Sequence, residues 1–418
     1  MIPKAVKLQV GELSGTDLVH ADDSRAGPEV APSISVSTTF KYPDPSTNPA
    51  SFSEWDPLKP ETKHIYSRYT QNVSSRAEQV LSQINKGYAL TYSSGLASGY
   101  AALISCQPKC IAITDGYHGY HNTIALYRKT RQDVEIIGID DDFKQGTLCW
   151  LETPLNPIGE SRDIQYYADK VHAVGGRLVV DSTFAPPPLQ YPFKWGADII
   201  MHSGTKYFGG HSDLLCGVLI VKTREEWLSL WSDRAYLGNV MGNLESWLLL
   251  RSLRTLHLRV PRQSETATAL AKWLSAAAGA DKAVDGIPAG MISKVWHSSL
   301  QGKDRRGFDP AKQMEGGWNA TFSIQMANAD HATFLPHSLK YFVPATSLGG
   351  VESLIEQRFQ VDPSVDPKML RISVGVENIE DLKDDLRKGM QEVASKVSLC
   401  PKILLRSLAD SLQVRTKL

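Results

Sequence analysis

The sequence has no excess of charge of either sign: 45 Lys and Arg stand against 45 Asp and Glu in 418 residues. That balance excludes a global basic field for nucleic acid or for an anionic membrane, so any anion-binding site must be local. No apolar run is long enough to span a bilayer, and Met1-Ile2-Pro3-Lys4 lacks the apolar core of a signal peptide. Cysteine is scarce: Cys106, Cys110, Cys149, Cys216 and Cys400 are five and widely scattered. That is a poor disulfide framework, and no second pair completes a zinc site with Cys106 and Cys110. All five are expected as reduced thiols, with no metal bound. The last residues, Thr416-Lys417-Leu418, loosely resemble the Ser-Lys-Leu peroxisomal address but begin with threonine, so the cytoplasm is the expected compartment.

What is present is a globular composition, 42% hydrophobic, long enough for two or three domains. Residues 1–63 are rich in Pro, Ser, Thr and Asp and read as an irregular N-terminal arm that docks on a neighbouring subunit. From Ser74 short β-rich runs alternate with helical patterns. Strands are expected at Tyr88–Tyr92, Cys110–Thr114, Glu135–Ile139, Thr147–Leu151, Arg177–Val180, Ile199–Met201 and Leu215–Val221. Helices are expected at Gly95–Ile104, His121–Lys129 and Ile164–Val174, and a long one at Leu244–Leu258. This is an α/β pattern, a mostly parallel sheet covered on both faces, in a domain over 64–258. The remainder, 259–418, reads as a smaller α+β domain. It has a helix from Gln263 to Ala278, strands at Ala320–Met326, Leu339–Val343 and Met369–Val374, and a closing helix at Glu380–Val397.

In such sheets ligands sit beyond the carboxyl ends of the strands, so the residues after each strand carry the functional signal. After Ala197-Asp198-Ile199-Ile200-Met201 comes His202-Ser203-Gly204-Thr205-Lys206, a lysine at the end of a buried strand. Burying an ammonium is costly, and a desolvated lysine forms a Schiff base with an aldehyde readily. Ser203 and Thr205 offer hydroxyls to a phosphate beside it. Taken alone, the stretch also reads as a solvated turn. Gly95 and Leu96 open a helix whose bare amides suit phosphate, or an ordinary serine cap. Tyr117 ends a strand where it can stack on a planar ring or simply pack. Asn156, between prolines, is a rigid amide or a turn. Asp181 follows an apolar strand, and a carboxylate there needs a cation or several donors; a pyridinium nitrogen serves. Together these are a phosphate cup, a stacking aromatic, a carboxylate and a Schiff-base lysine, the set that pyridoxal 5′-phosphate requires.

The order and spacing resemble the Cys/Met-metabolism family of pyridoxal-phosphate enzymes. That group holds cystathionine γ-synthase, cystathionine γ-lyase, methionine γ-lyase and O-acetylhomoserine sulfhydrylase. The likeness runs from about Asp22 to Met390. It is carried by Tyr66-Ser67-Arg68, Ser94-Gly95-Leu96, Asp115-Gly116-Tyr117, Val180-Asp181-Ser182-Thr183-Phe184, His202 to Ser212 and Ser347-Leu348-Gly349-Gly350. The resemblance implies a fold-type I homotetramer of active dimers. It makes Lys206 the Schiff-base lysine, Asp181 the partner of the pyridine nitrogen, Tyr117 the stacking ring and Asn156 the contact to the 3′-oxygen. Gly95, Leu96, Ser203 and Thr205 then hold the phosphate, with Thr183 in the cofactor set and Tyr66 and Arg68 reaching in from the neighbouring subunit. Arg371 grips the substrate carboxylate, assisted by Ser347, with Thr346 and Tyr66 also on the substrate side.

Three departures from that pattern carry information. Thr70-Gln71-Asn72-Val73 replaces the usual Gly-Asn-Pro-Thr. Thr346 stands where cystathionine-handling members usually carry glutamate for the amino group of a cysteine moiety. The Met-Thr-His segment that many members carry after the Ser-Leu-Gly-Gly turn is absent. The resemblance therefore implies γ-replacement on an O-acyl-L-homoserine, with the acetyl ester first choice, by way of a vinylglycine ketimine. A thiol, sulfide or carbon nucleophile would be added; γ-elimination by a lyase is the alternative. The partners expected are an amino-acid substrate and a small nucleophile.

Overall fold

The structure, a computed structural model, describes residues 13–42, 44, 46, 56–59 and 64–399. Cys400, Thr416-Lys417-Leu418 and much of the expected arm lie outside the described residues. The other four cysteines are free thiols, in accord with the sequence reading.

Helix α1 (Gly15–His20) comes first, followed much later by α2 (Asn72–Asn85), which ends where Lys86 takes a left-handed conformation. The alternation then runs β1 (Tyr88–Tyr92), α3 (Gly95–Cys106), β2 (Cys110–Ala112), α4 (His118–Arg128), β3 (Glu135–Ile137), β4 (Leu148–Glu152) and α5 (Ile164–His172). It continues through β5 (Arg177–Asp181), β6 (Ile199–Ser203), β7 (Gly217–Val221), α6 (Arg224–Leu237) and α7 (Asn243–Leu253). The seven strands form one sheet in the order β1-β7-β6-β5-β4-β2-β3. Every pair from β3 to β6 is parallel; β7 runs against both its neighbours. Strands buried on both faces read as continuous apolar runs, and Gly217-Val218-Leu219-Ile220-Val221 is buried throughout.

The chain continues through α8 (Leu256–Ala277), β8 (Ile292–Trp296), α9 (Pro310–Gln313), β9 (Thr321–Met326), α10 (Ala329–Phe334), β10 (Val343–Pro344), β11 (Leu354–Gln357), β12 (Met369–Ser373) and α11 (Ile379–Leu399). Its five strands form a second, mostly antiparallel sheet, β10-β11-β12-β9-β8. The α/β class with a smaller second sheet is as the alternation implied.

Several local expectations are corrected. The arm is not wholly irregular, and its first part docks on its own chain. In α1, Leu18 is fully buried. Just after it, Asp22 accepts from Arg76 Nε at 2.6 Å and from Arg254 Nη1 and Nη2 at 2.8 and 3.0 Å. That same Arg254 breaks the expected helix Leu244–Leu258 in two: its guanidinium turns to Asp22 and the Leu18 carbonyl, and a new helix starts at Leu256. The expected strand Leu339–Val343 survives only at Val343–Pro344. The carboxylate of Asp385 on α11 accepts the Lys340 and Tyr341 amides at 2.8 and 2.7 Å, so those donors are lost to a sheet. Unforeseen elements are α6, whose apolar residues are scattered, the edge strand β8, and β11, half of which is polar.

Candidate active site

The carboxyl ends of the parallel strands face the second sheet across a cleft of about 410 Å³. It is lined by Gly95, Leu96, Tyr117, Asn156, Asp181, Thr183, Ser203, Thr205, Lys206, Thr346, Ser347 and Arg371. Twelve of the fourteen residues singled out from the sequence thus meet in one place. Tyr66 and Arg68 do not line it. Arg68 instead donates to the Ala235 carbonyl at 2.8 Å and stacks near Tyr66 and Tyr69, and Tyr66 is exposed.

Lys206 leaves β6 in a tight turn closed by Lys206 N–H to Ser203 O at 3.0 Å and Gly210 N–H to Lys206 O at 2.7 Å. Gly349 presses on that turn from the other sheet. Its φ is +77°, and a Cβ there would sit 2.8 Å from the Tyr207 nitrogen, so only glycine fits. Lys206 Nζ donates to Ser347 Oγ at 2.8 Å. Burial, reinforced by the Arg371 guanidinium, pulls the amine down to about 8. An amine so tuned exchanges its proton near neutrality, which a Schiff-base or general-base lysine requires.

Asp181 closes β5 and is 4% exposed. Its Oδ1 accepts from the Thr183 hydroxyl at 2.6 Å and amide at 3.0 Å, and that hydroxyl also takes the Ser203 amide at 2.9 Å. Among the described residues no cation pairs with it. Glu152, at the end of β4, accepts the Tyr117 amide at 2.8 Å and the Asn156 amide at 2.7 Å, locking two site loops together. Both carboxyls are pushed upward by burial, Glu152 further by its neighbour Asp181. A buried carboxylate aimed into a cleft without a cation is the place for a positively charged ring nitrogen.

The phosphate cup is equally specific. Ser94 caps α3 by accepting the Ala97 amide at 3.1 Å, leaving Gly95 and Leu96 in the first turn, where amides lack helical partners. A Cβ on Gly95 would come within 3.1 Å of Ser203 Oγ, so glycine keeps the cup open. Thr205 is partly committed: its hydroxyl accepts the Cys216 amide at 2.9 Å.

Opposite, Arg371 on β12 is buried. It donates to Asn156 Oδ1 at 3.1 Å, Ser347 O at 2.9 Å and Glu356 Oε2 at 2.7 Å. Burial draws its guanidinium down to about 10. Ser347 holds φ +91°, an uncommon conformation for a non-glycine residue. The sequence reading missed Glu356 and Arg358. The signal was the register of β11 on β12, which sets Glu356 directly opposite Arg371, but β11 itself was not foreseen. Glu152, one residue past the expected strand Thr147–Leu151, was likewise missed.

Residues 15–391 match the model of the family described as Cys/Met metabolism PLP-dependent enzyme. The chain is 31% identical to a cystathionine gamma-lyase of Dictyostelium discoideum over 403 residues, covering 90% of this chain and 97% of that one. It is 32% identical over 350 residues to a cystathionine gamma-synthase of Mycobacterium tuberculosis, covering 78% and 86%. Among solved structures, the cystathionine gamma-lyase from yeast superposes with a TM-score of 0.77 at 28% identity, covering 93% of this chain and 100% of that one. A cystathionine gamma synthase from Xanthomonas oryzae, in complex with aminoacrylate and cysteine, gives 0.77 at 26%, covering 91% and 98%. The buried Asp181 carboxylate, the open helix N-terminus and the depressed lysine fit pyridoxal 5′-phosphate, the group that the family's description names.

Proposed function

This chain belongs to the Cys/Met metabolism PLP-dependent enzymes, and from that premise we propose that it catalyses γ-replacement on an O-acyl-L-homoserine, the acetyl ester by preference. The bond from Cγ to the ester oxygen breaks and a bond from Cγ to the nucleophile forms. The nucleophile's proton leaves with the acetate, as acetic acid. Pyridoxal 5′-phosphate, when bound, supplies the electron sink beside Cα.

The chain's residues do the rest. Arg371 holds the α-carboxylate, for which its planar fork is suited. Lys206 Nζ takes the Cα proton and waits against Ser347 Oγ, 2.8 Å away. Tyr117, over the cleft, donates a proton to the departing ester. Asp181, held by Thr183, fixes the charge of the ring nitrogen. Asn156, which accepts from Arg371 at 3.1 Å, would also meet the ring's oxygen. Tyr66 and Arg68, outside this chain's own cleft, complete the cleft of a second copy in a homotetramer built from active dimers.

The observation that carries replacement is Thr346, a neutral side chain on the cleft beside Ser347. Without a carboxylate there, the amino group of a cysteine moiety has no charge partner at this position, and sulfide, a small thiol or an enolate is the better nucleophile. The second reading, α,γ-elimination, is favoured by the cystathionine gamma-lyases among the relatives. Incubation with O-acetylhomoserine separates the two. Replacement gives a Cγ adduct, seen by mass spectrometry, that forms only when a nucleophile is added. Elimination gives 2-oxobutanoate and ammonia at one rate whatever is added.

A further inference from the structure

The cleft contains a cation that neither the cofactor nor an α-carboxylate employs. Arg358, in the short turn that follows β11, is only 5% exposed and lines the same cleft as Lys206 and Arg371. A guanidinium has five N–H donors. Among the described residues the Arg358 side chain makes one hydrogen bond, from Nη1 to Glu356 Oε2 at 3.1 Å. Its Nε is buried with no acceptor. The carboxylate it meets is already shared, because Glu356 Oε2 also accepts from Arg371 at 2.7 Å. Two buried guanidiniums therefore face one buried carboxylate. Unmade bonds on a desolvated charged group are costly, and a structure keeps them where a ligand makes them.

Val361, three residues on, lines the cleft and is 46% exposed, as does Leu215 at 62%. Arg358 thus lies on the wall of the same cleft, beside these exposed apolar side chains. The other titratable groups near it are His118, on the cleft wall, and Asp362, whose carboxylate is taken by the Ser364 hydroxyl at 2.6 Å and amide at 3.1 Å.

We propose that Arg358 is a second anion-binding site, which holds a carboxylate or phosphate carried by the reactants in addition to the α-carboxylate on Arg371. The inference rests on the γ-replacement reading. The anion has two sources there: the nucleophile, or an acidic leaving group on the homoserine oxygen. In the first case the enzyme takes a carboxylate-bearing nucleophile, and in the second a succinyl or phosphoryl donor.

Steady-state kinetics of the holoenzyme tests this with isosteric pairs. 3-Mercaptopropionate is set against 3-mercaptopropionamide, and acetoacetate against pentane-2,4-dione, with O-acetylhomoserine as donor. In a separate arm O-succinyl- and O-phosphohomoserine are set against the acetyl ester. The expected result is a KM at least ten-fold lower for the charged member in one arm, and the arm identifies the source. That preference falls to about unity in Arg358→Gln and is partly retained in Arg358→Lys. A purely structural role would weaken both members of a pair alike and leave their ratio in place. Equal KM values in every pair for the wild-type enzyme overturn the second anion site and leave γ-replacement standing. If only 2-oxobutanoate forms with every nucleophile, γ-replacement falls, and the donor arm alone then upholds or overturns the role of Arg358.

Discussion

Replacing Asp181 by Asn should move stability and activity in opposite directions. In the cofactor-free protein this carboxylate is buried, bonded to Thr183 and without a cation. Burial raises its pKa above the ordinary 3.8. The folded state then holds a proton that the unfolded chain lacks, so stability falls as pH climbs from 3.8 through the raised value, and the loss is complete above it. Asparagine carries no such penalty. An unsatisfied buried charge is worth on the order of 1–3 kcal/mol. With an unfolding entropy of about 2 cal/mol/K per residue, the gain for a chain of this size is about 1–3 °C in Tm at pH 8. The holoenzyme should show the reverse. A carboxylate about 4 Å from a charged ring nitrogen at an effective dielectric near 20 contributes about 4 kcal/mol. Its loss from the transition state is roughly a thousand-fold in kcat. Scanning calorimetry of both apoproteins from pH 4 to 8, with turnover of the reconstituted enzymes, measures the two effects. An apo variant less stable than wild type at pH 8, or a kcat within ten-fold of wild type, would refute the assignment.

Gly95→Ala places a methyl group 3.1 Å from Ser203 Oγ in the phosphate cup; cofactor affinity, titrated by absorbance on reconstitution, should drop about ten-fold, or ~1.4 kcal/mol. Arg68→Ala and Lys206→Ala should each be inactive alone, yet a mixture refolded one to one should regain about a quarter of wild-type turnover, because half the dimers are hybrids with one intact cleft. No recovery would put Arg68 outside the shared site. Asp22→Ala leaves Arg76 and Arg254 facing each other without their buried carboxylate; urea unfolding at pH 7 should show a loss of about 3–5 kcal/mol. Burial opposes the ionised form of Asp22, but the two arginines overcome it and hold its pKa below 3.8. The deficit should therefore persist at neutral pH and shrink as pH falls through that lowered value.

The large sheet was legible because its strands are short apolar runs bounded by turn residues, and Val179-Val180-Asp181 or Ile200-Met201 followed by Lys206 leaves little choice of register. The candidate residues of the large sheet, Asp181, Ser203 and Lys206 among them, stand at or just after strand ends, where the topology calls for them. What stayed hidden is polar. In β11, Leu354-Ile355-Glu356-Gln357 mixes apolar residues with a glutamate that is buried only because Arg371 lies opposite, a pairing distant in sequence. Arg358 went unseen with it. The break at Arg254 and the loss of the strand at Leu339 share that cause: donors drawn to a distant carboxylate, the Arg254 guanidinium to Asp22 and the Lys340 and Tyr341 amides to Asp385, overrode the local pattern. Tyr66 and Arg68 illustrate a different limit, since one chain's own cleft does not contain them.

Ser347 offers its hydroxyl to the lysine and its carbonyl to the arginine. A single residue, poised in an uncommon backbone state, therefore stands between the two side chains to which the proposed function gives the proton and the substrate's acid group. On that reading, a substrate that pulls on the guanidinium pulls on the residue that also holds the amine. Recognition of the acid and release of the base are then linked through one residue.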